Sequence, residues 1–87
     1  MHEFSLIKDL IRKIISIAHE QRASKVVAVT VKLGALSCIS PDHFHEHFIH
    51  ASLGTIADGA QLNIEVQTDI NDSQSQEVLI ENIEVVD

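Results

Sequence analysis

The segment KVVAVTVKLGAL, residues 25–36, constrains the fold more than any other part of the sequence. It is dense in β-branched side chains, which favour extended backbone, and it therefore predicts a β-strand. Because side chains alternate across a strand, the segment also predicts two faces. One face carries Val27, Val29, Val31 and Leu33, and the other carries Val26, Ala28, Thr30 and Lys32.

The segment before this strand predicts an amphipathic helix from Phe4 to about Gln21. Its apolar residues recur at steps of three and four, which is the period of one helix face. This stripe consists of Leu6, Ile7, Leu10, Ile11, Ile14, Ile17 and Ala18.

A second helix is predicted after the strand. Ser40 suits its N-cap and Pro41 its first position, and the helix is expected to run to about Leu53. Gly54 suits its C-cap, because glycine adopts the left-handed conformation at helix ends. The stripe expected to face the core consists of Phe44, Phe48 and Ala51.

Two more strands complete the predicted fold. Residues 60–68 alternate Leu62, Ile64 and Val66 with polar residues, and residues 77–87 form a last strand. The polar residues 71–76 predict a turn through which these two strands pair antiparallel. We therefore expect a single α+β domain over residues 1–87, with two layers and the order helix, strand, helix, strand, strand. A small mixed sheet of about three strands is covered by the two helices.

Composition excludes several classes of function. Hydrophobic residues make up 45% of the 87 residues, which is enough for one small core. The net charge is −7 with six Lys and Arg, so we expect no nucleic-acid surface, which needs clustered cations. No apolar run approaches the roughly 20 residues of a membrane span. The N-terminus lacks a signal-peptide pattern, and the single Cys38 excludes an internal disulfide, so we expect a cytoplasmic protein without a membrane partner.

The segment HFHEHFIH, residues 43–50, holds four of the six histidines. On a helix, His43, His47 and His50 share one face, and a pair at i and i+4 can chelate a metal. The alternative is that these histidines flank the Phe44 and Phe48 stripe as partly exposed side chains. The H-E-x-x-H motif of zinc proteases is not present, because the second histidine after His45 would fall at Ile49. Without that ligand pair and a general base, we expect no enzyme here.

The first three residues, Met1, His2 and Glu3, predict a second kind of site. The Met1 amine, the His2 amide nitrogen and His2 Nδ1 would close a five-membered and a six-membered chelate ring around one cation. Three strong nitrogen donors in a plane suit Ni(II) and Cu(II). A fourth donor would come from elsewhere in the chain or from solvent, and Glu3 would lie beside the metal as an acceptor or weak ligand.

These residues belong to a pattern that runs through almost the whole chain. MHE before a helix is followed by V-x-V-x-L-G-x-L-S at residues 29–37 and by Ser40-Pro41 before the helix with the two phenylalanines. G-T-x-A-x-G-A-x-L-x-I-E at residues 54–65 and a closing I-x-N-I-E-V-V complete it. The sequence resembles the HypA/HybF family of hydrogenase nickel-incorporation proteins over residues 1–68 and 78–86.

The resemblance implies that the chain is a metallochaperone and not an enzyme. Met1, His2 and Glu3 would bind Ni(II) as cargo rather than as a catalytic cofactor. The implied partners are a maturation GTPase of the HypB type and the large subunit of [NiFe]-hydrogenase, with urease a second destination in some bacteria. The alternative is a regulatory or protein-interaction module that keeps the fold without delivering nickel. An exposed strand edge would then hold its partner, and a homodimer is compatible with such an edge.

One departure from the family concerns zinc. Family members insert a zinc-binding domain with two C-x-x-C pairs between the last two strands, where this chain has only DINDSQSQ, residues 69–76. One thiolate, from Cys38, does not make a structural zinc site, so we expect none. A natural short form and an engineered deletion both fit. With that domain absent, His43, His45, His47 or His50 could supply the fourth nickel donor.

Overall fold

The computed structural model describes residues 2–37, 39–73 and 75–87, without the side chains of residues 2–4. Five elements follow one another: α1 His2–Glu20, β1 Lys25–Leu33, α2 Pro41–Ser52, β2 Gln61–Val66 and β3 Val78–Val86. The sheet has the order β2-β1-β3, with β2 parallel and β3 antiparallel to β1. The expected α+β fold, a mixed three-stranded sheet with two helices, is confirmed. Neither helix is long and apolar enough over its described residues to cross a membrane.

Helix α1 packs through one face, as its apolar period predicts. Most of the predicted stripe is buried, although Leu6 is 40% exposed and Ile17 is half-buried. The buried members of the stripe are Ile7, Leu10, Ile11, Ile14 and Ala18. The helix ends where Arg22 adopts a positive φ of 57° and the Ala23 amide donates to the Ala18 carbonyl. This left-handed residue and the backbone bond five residues back stop the helix before β1.

Helix α2 begins as predicted. Ser40 is the N-cap, and its Oγ accepts a hydrogen bond of 3.1 Å from the His43 amide. The phenylalanine rings of Phe44 and Phe48 are buried and stacked, with centroids 6.5 Å apart, and Ala51 is half-buried. The C-cap is Leu53 rather than Gly54, which follows it with a φ of +78°.

Strand β1 differs from the prediction at its start. Val29, Val31 and Leu33 are all buried, in agreement with the predicted shared face, but Val26 is buried with them and Val27 is 39% exposed. The reason is a bulge, because Val26 pairs with Val85 and Ala28 with Glu84, which leaves Val27 without a partner in β3. One extra residue reverses the alternation of faces.

The predicted antiparallel pairing of the last two strands is wrong. Strand β1 lies between β2 and β3 and pairs with both. The segment from β1 to β2 contains α2, and a helical crossover of this length joins parallel neighbours. Strand β2 therefore pairs with one edge of β1, and β3 pairs with the opposite edge. Of the residues predicted to face the core from β2, Leu62 and Ile64 pack against it, whereas Val66 is 54% exposed.

The connection between β2 and β3 is anchored to the carboxyl end of β1. At one end the Gln67 amide donates to the Leu33 carbonyl, and at the other the Gly34 amide donates to the Glu77 carbonyl, both at 2.9 Å. The Leu36 amide also donates to the Ser75 carbonyl at 2.6 Å. The described residues of 69–76 form turns, so this polar segment joins two strands on opposite sides of β1.

The face of the sheet away from the helices carries a row of charged side chains, one from each strand. Lys32 of β1 lies beside Glu65 in the parallel register, and its Nζ is 3.6 Å from Glu81 Oε1 of β3. A side-chain hydrogen bond with Glu81 raises the pKa of Glu65, desolvation and the charge of Glu81 raise it further, and Lys32 lowers it. The folded state therefore holds the Glu65 proton more tightly than the unfolded chain does.

We expect Glu65→Gln to gain stability relative to the unsubstituted chain as the pH rises. Since the folded-state pKa of Glu65 lies above its usual 4.5, the stabilisation from its proton is present below pH 4.5. It is lost as the pH rises through the raised pKa, whereas glutamine keeps a hydrogen-bond donor at every pH. Urea unfolding between pH 4 and pH 7 measures this, with Glu84→Gln on β3 as control. A stability difference that does not change with pH would contradict the pKa shift.

Candidate metal centre

The first candidate site lies at the start of α1. The helix begins at His2, so the backbone of His2 and Glu3 forms its first turn. Met1 and the side chains of His2 and Glu3 lie outside the described part of the chain. The predicted ligand set of these three residues therefore stays a prediction, to which the structure adds the backbone conformation at two of them.

That backbone conformation determines whether the amide nitrogen atoms of the first turn are available to bind a metal. The first four N–H groups of a helix have no acceptor within the helix. The His2 amide is one of them, so its nitrogen takes no part in the hydrogen bonds that hold α1 together. A metal ion that replaces its proton would break no helical hydrogen bond.

The electrostatics of a helix start oppose a cation, because the macrodipole places partial positive charge there. Two groups of the predicted site counter this effect. A metal-bound amide nitrogen has lost its proton and carries negative charge, and the Glu3 carboxylate is next along the chain. In the predicted site, these two charges would outweigh a dipole effect of typically 0.3–1 kcal/mol.

The second candidate site is the histidine segment of α2. His43, His45 and His50 are exposed and His47 is half-buried, which agrees with the interpretation that they flank the buried Phe44 and Phe48 stripe. The rings of His43 and His47 lie 6.5 Å apart between centroids and are tilted by 54°. Among the described residues, no three side chains of the His, Cys, Asp and Glu types converge as a metal site.

A fourth nickel donor from α2 would require its histidines to lie near Met1. Helices α1 and α2 contact each other, which is the packing that this prediction needs. The distance that would decide between His43, His45, His47 and His50 involves Met1 and the side chain of His2, which are outside the described residues. Cys38 is outside them as well.

The structure also contains a groove that the sequence does not indicate. It lies between α2 and β2, has a volume of about 340 Å³, and is lined by His45, Ile49, Asp58 and Gln61, among others. Asp58 Oδ2 accepts a hydrogen bond of 3.2 Å from the Gly54 amide and so fixes the loop that follows α2. The paired glycines 54 and 59, both with positive φ, were the sequence signal for this loop.

Comparison with known proteins gives a consistent result. The family model of HypA, described as a hydrogenase/urease nickel-incorporation metallochaperone, matches residues 1–75. A hydrogenase maturation factor HypA of Archaeoglobus fulgidus is 42% identical over 67 residues, which are 77% of this chain and 61% of that protein. A hydrogenase maturation factor HypA of Shewanella baltica is 36% identical over 84 residues, which are 93% of this chain and 72% of that protein.

Solved structures show the same fold. The solution structure of the Ni metallochaperone HypA from Helicobacter pylori superposes with a TM-score of 0.83, covers 97% of both chains and is 18% identical. A second solution structure of a HypA protein superposes with a TM-score of 0.77 and is also 18% identical. The aligned region spans 61% of the Archaeoglobus protein and 72% of the Shewanella protein. Together, the family match over residues 1–75 and these relatives show that the chain belongs to the HypA family of nickel-incorporation metallochaperones, and not to a family of enzymes.

Proposed function

We propose that this chain binds Ni(II) at Met1, His2 and Glu3 and passes it to a hydrogenase undergoing maturation. The observation that carries the proposal is that the family match begins at residue 1 and continues through α1, β1, α2 and β2. The three residues with metal-binding chemistry thus belong to the part of the chain that resembles nickel-incorporation proteins. Urease is a second destination that the family description allows.

The proposed coordination uses the Met1 amine, the His2 amide nitrogen and the His2 imidazole as three donors. They are consecutive along the chain, so fused five- and six-membered rings hold them in one plane, the arrangement that Ni(II) prefers. The fourth position is filled by another donor of this chain, with the α2 histidines as candidates, or by the receiving protein. Ligands confined to the start of one helix leave the metal accessible to a partner, which transfer requires.

The proposal also covers zinc, partners and location. With one cysteine in 87 residues, the chain holds no structural zinc of the thiolate type. A HypB-type GTPase and the hydrogenase large subunit are the proposed partners, and the cytoplasm is the proposed location. A regulatory or protein-interaction module is the second candidate function. The observation in its favour is that β2 and β3 each have β1 on one side and form the two edges of the described sheet.

We expect nickel to increase capture of the partner proteins by this chain by about fivefold or more, the usual range of coupling between two sites. The bait is the full chain immobilised through its C-terminus, so that the Met1 amine stays free. Purified GTPase and hydrogenase large subunit are offered with and without one equivalent of Ni(II).

The matched control is the His2→Ala bait, for which capture should not respond to nickel. Capture by the unsubstituted chain that is strong but equal with and without Ni(II) would contradict delivery and support the interaction module. An absence of capture under both conditions would contradict both functions with these partners.

A further inference from the structure

We infer that His43 and His47 form a second site on α2, which binds a divalent transition-metal ion independently of the N-terminal residues. The two histidines are four positions apart on a regular helix, so their side chains project from the same face on successive turns. The family pattern assigns no role to this pair, and the proposed nickel site would use at most one α2 histidine, as its fourth donor.

The distance between the rings fits a shared metal after a small movement. With metal–nitrogen bonds of about 2.1 Å, about 1.1 Å from ring centre to nitrogen and a tetrahedral angle at the metal, two imidazoles on one ion have centroids about 5.2 Å apart. The observed separation is 6.5 Å. His43 is exposed and lies in the first turn of α2, so its side chain can change rotamer more easily than that of a buried residue. The helix therefore places the two rings about 1.3 Å farther apart than a tetrahedral site requires, a difference that rotation of the side chains can close.

The charge of the chain segment that contains the pair favours a cation. All six Lys and Arg residues lie within residues 8–32, whereas residues 33–87 contain none and hold ten of the thirteen Asp and Glu residues. Asp42 and Glu46 are the sequence neighbours of His43 and His47 on α2 and are both exposed. A divalent ion bound here meets no basic side chain within its own segment, and two carboxylates offset the helix macrodipole.

Two donors leave the remaining coordination positions of the ion to water. This agrees with the absence of any group of three ligand side chains among the described residues. The site should therefore exchange its metal readily, unlike a closed structural site with four protein ligands. Such a site concentrates metal on the surface of α2 but does not hold the fold together.

Zn(II) is the probe that separates this pair from the N-terminal site. The planar set of amine, amide and imidazole nitrogens suits Ni(II) and Cu(II), whereas zinc prefers a tetrahedral site with imidazole donors. We expect calorimetric titration of the metal-free full chain to show about one equivalent of Zn(II). The chain with His2→Ala should bind it equally, and His43→Ala/His47→Ala should weaken it by about tenfold or more.

His45→Ala/His50→Ala is the matched control, because it also removes two histidines from α2 but from positions five apart, which do not share a face. It should keep Zn(II) binding within about twofold of the unsubstituted chain. If both double variants lost Zn(II) affinity equally, or if His43→Ala/His47→Ala bound Zn(II) as the unsubstituted chain does, His43 and His47 would not be the site. Loss of Zn(II) binding in His2→Ala would make these histidines part of the N-terminal site and would likewise overturn a separate one.

Discussion

Replacing His2 by alanine is expected to weaken Ni(II) binding by about a hundredfold or more, which corresponds to about 2.7 kcal/mol. The substitution removes the imidazole donor and the six-membered ring, and it leaves the Met1 amine and the backbone nitrogen in place. The two remaining nitrogens form a single five-membered ring that competes poorly with water and buffer for the metal. Calorimetric titration of the untagged chain at neutral pH measures this loss.

His19→Ala is the matched control for this titration, because it removes an exposed histidine from the last turn of the same helix. Its affinity for Ni(II) should equal that of the unsubstituted chain. Glu3→Gln should weaken binding by about tenfold, the lower end of what groups behind the ligands contribute. Equal affinities of His2→Ala and the unsubstituted chain would refute the N-terminal site, whatever the pair on α2 binds.

Phe44→Ala should destabilise the fold by about 3–5 kcal/mol, the usual cost of emptying the position of a buried aromatic ring. The ring is 0% exposed and stacks on Phe48, in the layer where α2 meets the sheet and α1. Since small domains are stable by about 5–15 kcal/mol in total, this one substitution removes a large share of the stability. Urea unfolding followed by circular dichroism measures it.

Ile49→Ala provides the comparison for this loss, because Ile49 is on the same helix and is 46% exposed. Its effect should stay within about 0.5 kcal/mol, as for most surface substitutions. A third variant, Phe44→Leu, keeps part of the buried volume and should cost less than Phe44→Ala. If Phe44→Ala and Ile49→Ala destabilised the chain equally, α2 would not be held by its phenylalanine face.

The elements that the sequence predicted correctly are those that depend on short-range periodicity. The three- and four-residue steps of α1, the Ser40-Pro41 start of α2 and the branched residues of β1 each determine local backbone, and the structure has all three. The observed boundaries of the elements differ from the predicted ones by a few residues. Helix α1 begins at His2 rather than Phe4, and β2 is shorter than the predicted 60–68.

The errors concern pairing between distant segments. Alternation predicts that Val27 shares a face with Val29, because it assumes that each residue has one partner, and the bulge breaks this rule. The predicted hairpin of β2 and β3 rests on their adjacency in sequence and on the polar residues between them. Its connecting segment, 67–77, has eleven residues between Val66 and Val78, whereas hairpin loops usually have about two to five. That length was the available signal against direct pairing.

The candidate sites show a different limit. Spacing alone favours the four α2 histidines over the single His2 as a candidate metal site. Only the family resemblance makes His2 the better candidate. The structure distinguishes His43 and His47, whose rings are in contact range, from His45 and His50. Sequence spacing predicted which side chains share a helix face, but it did not predict the tilt and separation of their rings, which depend on side-chain rotamers.

The anchoring of the β2–β3 connection has a consequence for how this fold tolerates changes in length. Val66 and Val78, the two residues that border the connection, are both register partners of Leu33 and so lie only about 10 Å apart across β1. Eleven residues have to cover this short gap, although they could reach about 36 Å when extended. The segment is thus longer than this gap requires, and doubling its length would cost only about 0.6 kcal/mol in closure entropy. A change in the length of this segment should therefore leave the register of the sheet the same.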